Sequence, residues 1–198
     1  SRSYEQYIGR EADEPGLEYW VAQMQAGLSE EQLDAAMIGS PEYVRDHGGS
    51  DPAWVSGMYH DLLGRAPDAQ GLQYWTARLR SGESHYGVAL GFAASAEREA
   101  LVIDADYRAF LGRSADQAEV ASWVQQFAAG VHRDALIAAL IGSSEYFNDP
   151  SKGDGNDAAW VASVYRDLFA IPVPSGEGQY WVSQLESQET FTNSEVNN

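Results

Sequence analysis

The sequence predicts an all-α fold of tandem helical repeats arranged as two similar halves, on three observations. A tyrosine is followed 16 residues later by a tryptophan four times, as Tyr4 and Trp20, Tyr59 and Trp75, Tyr107 and Trp123, and Tyr165 and Trp181. Successive opening tyrosines lie 48 to 58 residues apart, a spacing typical of a repeated supersecondary unit. Within the units apolar residues recur at helical spacing, while the period-two alternation of β-branched residues that marks strands is missing.

In the first unit Leu17, Trp20, Val21 and Met24 share one helical face, and Gly27 supplies a left-handed stop. Gly82 and Gly130 stand at the same place, seven residues past Trp75 and Trp123. A second helix starts at Ser29, which with Gln32 reads as a capping box ahead of the stripe Leu33, Ala36 and Met37. Ser40-Pro41-Glu42-Tyr43 starts another, with Ser40 as N-cap and Pro41 in the first turn. Ser143-Ser144-Glu145-Tyr146 repeats this, and Ser95-Ala96-Glu97-Arg98 is a degenerate version.

A linking helix opens at Asp51-Pro52-Ala53-Trp54 and again at Asp157-Ala158-Ala159-Trp160, with Asp51 and Asp157 expected as N-caps. Between the second and third units this element shrinks to residues 102–106. The units therefore pair. Residues 1–102 form one half, with units 4–58 and 59–102, and residues 103–198 the other, with units 107–164 and 165–198, either as two bodies or as one compact domain. Thr190 to Asn198 is polar and reads as a tail.

Composition narrows the function classes. The net charge is −18 with a pI near 4.3, and Lys152 is the only lysine, so a nucleic-acid partner is disfavoured by repulsion of its phosphates. No apolar run is long enough for membrane insertion. The absence of cysteine removes disulfides and thiolate metal sites. The chain opens at Ser1 without an initiator methionine, as a processed chain or an excised fragment would. An acidic, lysine-poor surface suits a secreted protein or one that handles divalent cations.

Three sets of residues are candidates for a site. Gly-Arg-x-x-Asp recurs as Arg10 with Asp13, Arg65 with Asp68 and Arg113 with Asp116, while unit four has Ala170-Ile171-Pro172 instead. Either the glycine ends a helix, the aspartate caps the next and the arginine bonds carbonyls or a carboxylate, or arginine and aspartate grip a polar ligand such as a sugar. The structural reading is favoured because it needs no ligand. Tyr19, Tyr74 and Tyr180 point about 100° off the apolar stripe and form a candidate ligand surface, with Ser122 in their place in unit three. The adjacent tryptophans are expected in the core. Asp46 and Asp51, and Asp149, Asp154 and Asp157, lie in glycine-bearing loops at equivalent positions of the two halves. Calcium is the cofactor such oxygen donors suggest, although neither loop fits the EF-hand pattern and a solvated, capping turn is the simpler reading. No metalloprotease, serine-hydrolase or phosphate-loop motif occurs, so no catalytic residue is assigned.

The run Tyr59-His60-Asp61-Leu62-Leu63-Gly64-Arg65, then Asp68, Gly71-Leu72, Tyr74-Trp75, Gly82 and the later Ser-x-Glu-Tyr, resembles the bacterial repeat family called domain of unknown function 4214. A more distant similarity is to the linker domain of phycobilisomes. The resemblance covers three units well and the fourth in part. It implies helical repeats of secreted or cell-surface bacterial proteins, often beside calcium-binding repeats or carbohydrate-active domains, and brings no catalytic residues. The expectation is a non-catalytic extracellular module that binds a glycan or a protein partner. A structural spacer in a multidomain adhesin is the alternative, and a polysaccharide-active enzyme the least favoured.

Overall fold

The computed structural model describes residues 3–195, with side chains through residue 187. A π-type turn, Tyr4–Ile8, opens the chain. Twelve helices follow: α1 (Glu14–Gln25), α2 (Glu30–Ile38), α3 (Pro41–Asp46), α4 (Asp51–Leu63), α5 (Ala69–Arg80), α6 (His85–Ala93), α7 (Ala96–Leu111), α8 (Gln117–Ala128), α9 (Arg133–Ile141), α10 (Ser144–Asn148), α11 (Asp157–Phe169) and α12 (Glu177–Glu195). Among the described residues there is no strand, so the fold is all-α and built from repeats.

Cap chemistry accounts for most boundaries. Ser29 and Gln32 close a reciprocal capping box at α2, and Ser40, Ser84 and Ser143 each accept a backbone N–H in the first turn of the helix they precede. Asp51 and Asp157 are not the caps expected of them. They are the first helical residues, behind Ser50 and Asn156, and the Asn156 side chain accepts from the Ala159 N–H. An anion in the first turn still gains from the helix dipole, so the aspartates keep an electrostatic role without the capping one.

Two compact units emerge, Ser1–Ile103 with Val120–His132 and Asp104–Glu119 with Arg133–Asn198. The segment expected to shrink at residues 102–106 lies inside the unbroken helix α7. In the first unit α2 packs along α6, and Ile38, Tyr43, Trp54, Val55, Met58 and Val88 are sealed from solvent. The Trp54 Nε1–H donates to the Ile38 carbonyl at 2.8 Å, satisfying one of the free carbonyls at the end of α2. In the second unit Trp160 Nε1–H does the same for the Ile141 carbonyl at the end of α9, at 2.7 Å. Leu136, Leu140, Tyr146 and Val161 fill that unit's interior.

The apolar stripe on α1 reaches the core only through Trp20, which packs against it half-buried. Leu17, Val21 and Met24 are exposed, and no residue of α1 is buried. Thr76 and Leu79, the counterparts of Val21 and Met24, are buried on α5, which packs against α4 and α6, whereas α1 has only the short turn Tyr4–Ile8 in the place of α4. The repeat tryptophans are shallower than expected. Trp20, Trp75 and Trp123 are half-buried and Trp181 is exposed, while the linking Trp54 is the deep one. In unit four Gln188 stands where the other units have their glycine stop, and α12 runs on through Glu195. It therefore covers most of the expected tail, and residues 196–198 lie outside the described residues.

Candidate functional site

Each Gly-Arg-x-x-Asp segment turns the chain between two helices. Gly9, Gly64 and Gly112 adopt φ of +70°, +65° and +68°, a left-handed conformation that favours glycine. In unit four Ala170 takes φ +56° at the same place. Asp13, Asp68 and Asp116 then cap α1, α5 and α8 by accepting from the N–H groups of Gly16, Gly71 and Glu119.

The arginines are held by a partner the sequence reading did not assign. Arg10 donates through Nε and a terminal nitrogen to Glu42 at 3.2 and 3.1 Å, Arg65 to Glu97 at 2.8 and 2.9 Å, and Arg113 to Glu145 at 2.6 and 2.9 Å. In every case the glutamate is 32 residues on and belongs to Ser-x-Glu. The signal was visible as a second recurring motif at a fixed distance from the first. The same guanidiniums sit 5.4, 5.0 and 5.0 Å over the rings of Tyr4, Tyr59 and Tyr107, and each also donates to the carbonyl of the residue that follows it. Arg113 grips Glu119 as well, and hydrogen bonding to Arg113 pushes the Glu119 carboxyl down to about 2. These arginines and aspartates thus join helices within each unit.

Tyr19, Tyr74 and Tyr180 stand differently. They are 56, 55 and 56 % exposed, and each meets the following tryptophan edge to face, with centroids 5.0, 4.9 and 5.2 Å apart. Around Tyr74 an open hollow of ≈ 400 Å³ is lined by Gln70, Gln73, Ala77, Arg78 and Ser81. Arg78 is fixed there by a two-bond fork to Glu83 and lies 5.2 Å over Trp75. A flat ring bordered by amides, a hydroxyl and a guanidinium can stack on an apolar ring face and hydrogen-bond its rim.

The aspartate loops are not gathered. Asp46 accepts from Arg45, and Asp51 lies 3.6 Å from His85 Nε2. Asp149 accepts from both N–H and Oγ of Ser151 at 2.7 Å, which holds its carboxyl below the usual range. Asp154 occupies a left-handed turn at φ +48°, and Asp157 begins α11. Among the described residues no group of three or more His, Cys, Asp or Glu side chains comes together as a metal centre requires.

Sequence reasoning also missed the carboxylates that are held wholly or partly inside the fold. Asp61 and Asp167, each two residues past a repeat tyrosine, accept from the hydroxyls of Tyr43 and Tyr146 at 2.8 and 2.9 Å. Where those tyrosines stand, unit two has Arg98, which reaches Asp34 at 3.6 Å, and Asp34 accepts from Tyr7 Oη at 3.0 Å. Burial pushes Asp34 up to about 6 despite Arg98. Arg133 forks onto the buried Asp106 at 2.7 and 2.6 Å. The partners of these groups come from distant helices, which linear spacing does not reveal.

The fold and its recurring Tyr, Gly-Arg, Asp, Trp and Ser-x-Glu positions define a class of helical repeat protein. Residues 1–47, 35–102 and 102–150 match the family described as Domain of unknown function (DUF4214), and the chain belongs to that family. No curated protein and no solved structure matches it. Among the described residues no helix is long and apolar enough to cross a membrane.

Proposed function

We propose that this chain is a non-catalytic recognition module of a secreted or cell-surface bacterial protein, and that it binds carbohydrate. The observation that carries this reading is the recurrence of one exposed tyrosine at the same repeat position, with Gln70, Gln73 and Ser81 bordering the ring in unit two. Stacking of a sugar's apolar face on an aromatic ring, with amides and hydroxyls at its edge, is the usual economy of a weak polar ligand site. Repetition then raises avidity when the ligand repeats too. The acidic surface directs the module toward neutral glycans, since anionic ones would be repelled.

A non-catalytic role is supported by where the most strongly raised carboxyl lies. Asp34 is held by Tyr7 and Arg98, so it is spent on packing. The structural spacer is the second reading, favoured by one fact: the arginine and aspartate of each Gly-Arg-x-x-Asp segment are engaged inside the unit.

The test is a screen against neutral oligosaccharides, run with calcium and with a chelator. Selective binding that falls about tenfold or more in Tyr74→Ala, equal to about 1.4 kcal/mol, supports the reading. Binding abolished by the chelator would add a calcium requirement that the dispersed aspartates do not suggest. A blank screen, or binding indifferent to all three tyrosines, overturns the glycan site and leaves the spacer.

A further inference from the structure

Asp61 and Asp167 occupy equivalent places in the two units, yet different cations hold them. Asp167 accepts from the Tyr146 hydroxyl, from Lys152 Nζ and from Arg166 Nε. Lys152 also sits 5.5 Å over the Tyr146 ring. Asp61 keeps the tyrosine, accepting from Tyr43 Oη at 2.8 Å, but histidines stand in for both cations. His47 stacks on Tyr43 with centroids 3.8 Å apart and brings Nε2 to 3.4 Å from Asp61 Oδ2. His60 Nδ1 lies 2.9 Å from Asp61 Oδ1, as Arg166 Nε does from Asp167 Oδ1.

The surroundings of His47 call for two ring protons. Its Nδ1 lies 2.9 Å from the Tyr43 carbonyl oxygen and its Nε2 faces the carboxylate, so both nitrogens meet groups that only accept. A neutral imidazole carries one N–H and satisfies one of them, whereas the imidazolium satisfies both. The seat of the ring is a separate observation. It lies so close to α4 that a methyl group on Gly57 would collide with it, and Gly57 has no left-handed φ that would otherwise favour glycine. The matching residue of α11 is Ser163, whose hydroxyl instead donates to the Lys152 carbonyl at 2.8 Å.

We propose that His47 is a pH-sensitive clasp: as an imidazolium it ties the loop between α3 and α4 to Asp61, and as a neutral ring it releases one of its two partners. Histidine changes charge between about pH 5 and about pH 8, while lysine and arginine stay charged across that range. The charged ring is the form both partners hold, so the clasp is closed on the acid side and slackens as pH rises. The loop carries Gly48 and Gly49, whose N–H groups bond the Arg45 and Val44 carbonyls and which border an open hollow of ≈ 640 Å³ together with Pro41 and His85. Closing the clasp therefore fixes one wall of that hollow.

Other charged groups stand near. Tyr7 of the opening turn donates to Asp34 of α2, and Arg98 of α7 reaches Asp34 and the Leu62 carbonyl. On the loop itself Arg45 pairs with Asp46. Burial holds the Tyr7 and Tyr43 phenols above their ordinary range, so both stay neutral donors. Asp34, pushed up by burial to about 6, titrates in the same window as the clasp, so the test compares variants at each pH.

Melting temperatures of the full chain and of His47→Gln, at about pH 8 and about pH 5.5, make that comparison and cancel what Asp34 contributes to both. The variant is expected to fall further behind wild type at the lower pH, and this widening is expected to vanish when both chains also carry Asp61→Asn. Amide exchange on the wild type gives a readout that needs no variant. Protection of Gly48 and Gly49, corrected for the intrinsic rate, is expected to rise about fivefold from pH 8 to pH 5.5, while Lys152 and Asp154 in the second unit stay level. A gap that is flat with pH, or that widens toward pH 8, overturns the proposal. So does a widening that persists with Asp61→Asn, or loop protection that does not respond.

Discussion

At the scale of single residues, the repeat works by assigning one job to each recurring side chain. The deepest is Trp54, which fills the core of its unit and satisfies the last carbonyl of α2. Replacing it with alanine is expected to cost about 3–5 kcal/mol through cavity and transfer terms. Phenylalanine keeps much of the volume but orphans the Ile38 carbonyl, for a loss of about 1–3 kcal/mol. Chemical denaturation of the two variants checks the order, and equal losses would show that the ring volume kept by phenylalanine contributes nothing beyond the lost hydrogen bond. Ala170 is a local misfit, an alanine held at φ +56° where the other repeats place glycine. Ala170→Gly relieves that strain, and after the entropy of glycine is subtracted it is expected to stabilise by roughly 0.5–1 kcal/mol, read as a rise in melting temperature. Asp34 makes one pH-dependent contribution to stability. Its carboxyl is normal in the unfolded chain and held up to about 6 when folded, so its contribution is fullest below the unfolded value and is lost as pH rises through about 6. Asp34→Asn removes that loss. The melting temperature of the variant relative to wild type is therefore expected to rise between about pH 4 and about pH 7, and a difference that stays flat would refute the assignment.

At the scale of elements, the link between Gly-Arg-x-x-Asp and Ser-x-Glu decides how a helix start is tied to a distant turn. Arg113 is the tightest of the three links because it holds two carboxylates at once. In Arg113→Ala the Glu119 carboxyl, now at about 2, is expected to return toward its ordinary value near 4.5, as measured by side-chain NMR titration. No movement would mean that the Asp116 backbone N–H, which also donates to Glu119, suffices alone. Helices and caps were legible in the sequence because they depend on neighbours within four residues, as Ser29 with Gln32 and Ser40 with the Tyr43 N–H illustrate. The misplacement of Asp51 and Asp157 came from a cap one residue upstream, a distinction that composition at a helix start does not resolve. Burial was harder to read than helicity. Trp20 and Trp181 have the same local spacing as Trp75, yet what covers them depends on which helices lie alongside. Of the candidate site, the exposed tyrosines followed from helical geometry, whereas the glutamate partners of the arginines needed the three-dimensional pairing of two motifs 32 residues apart.

At the scale of the whole molecule, the dominant feature is charge. Thirty acidic residues stand against twelve basic ones, and most of those twelve already sit in ion pairs. The pairs are mostly exposed, and salt weakens such bridges, but each is worth little, while the unpaired excess of negative charge repels across the entire surface. Screening the excess therefore outweighs loosening the pairs. Melting temperature is expected to rise from low to moderate sodium chloride, with most of the gain complete once the Debye length shrinks to about 10 Å near 0.1 M. The same acidity sets a second dependence. Lowering the pH toward the pI near 4.3 discharges the surface and so favours contact between copies, while carboxylates held below the usual range, such as Asp167 by its bonds to Lys152, Arg166 and Tyr146, stay ionised longer. Solubility should therefore fail before helicity does on mild acidification, and turbidity followed beside circular dichroism separates the two. Loss of helix at a pH where the solution stays clear would mean that partly buried ion pairs, rather than surface repulsion, set the acid limit of this fold.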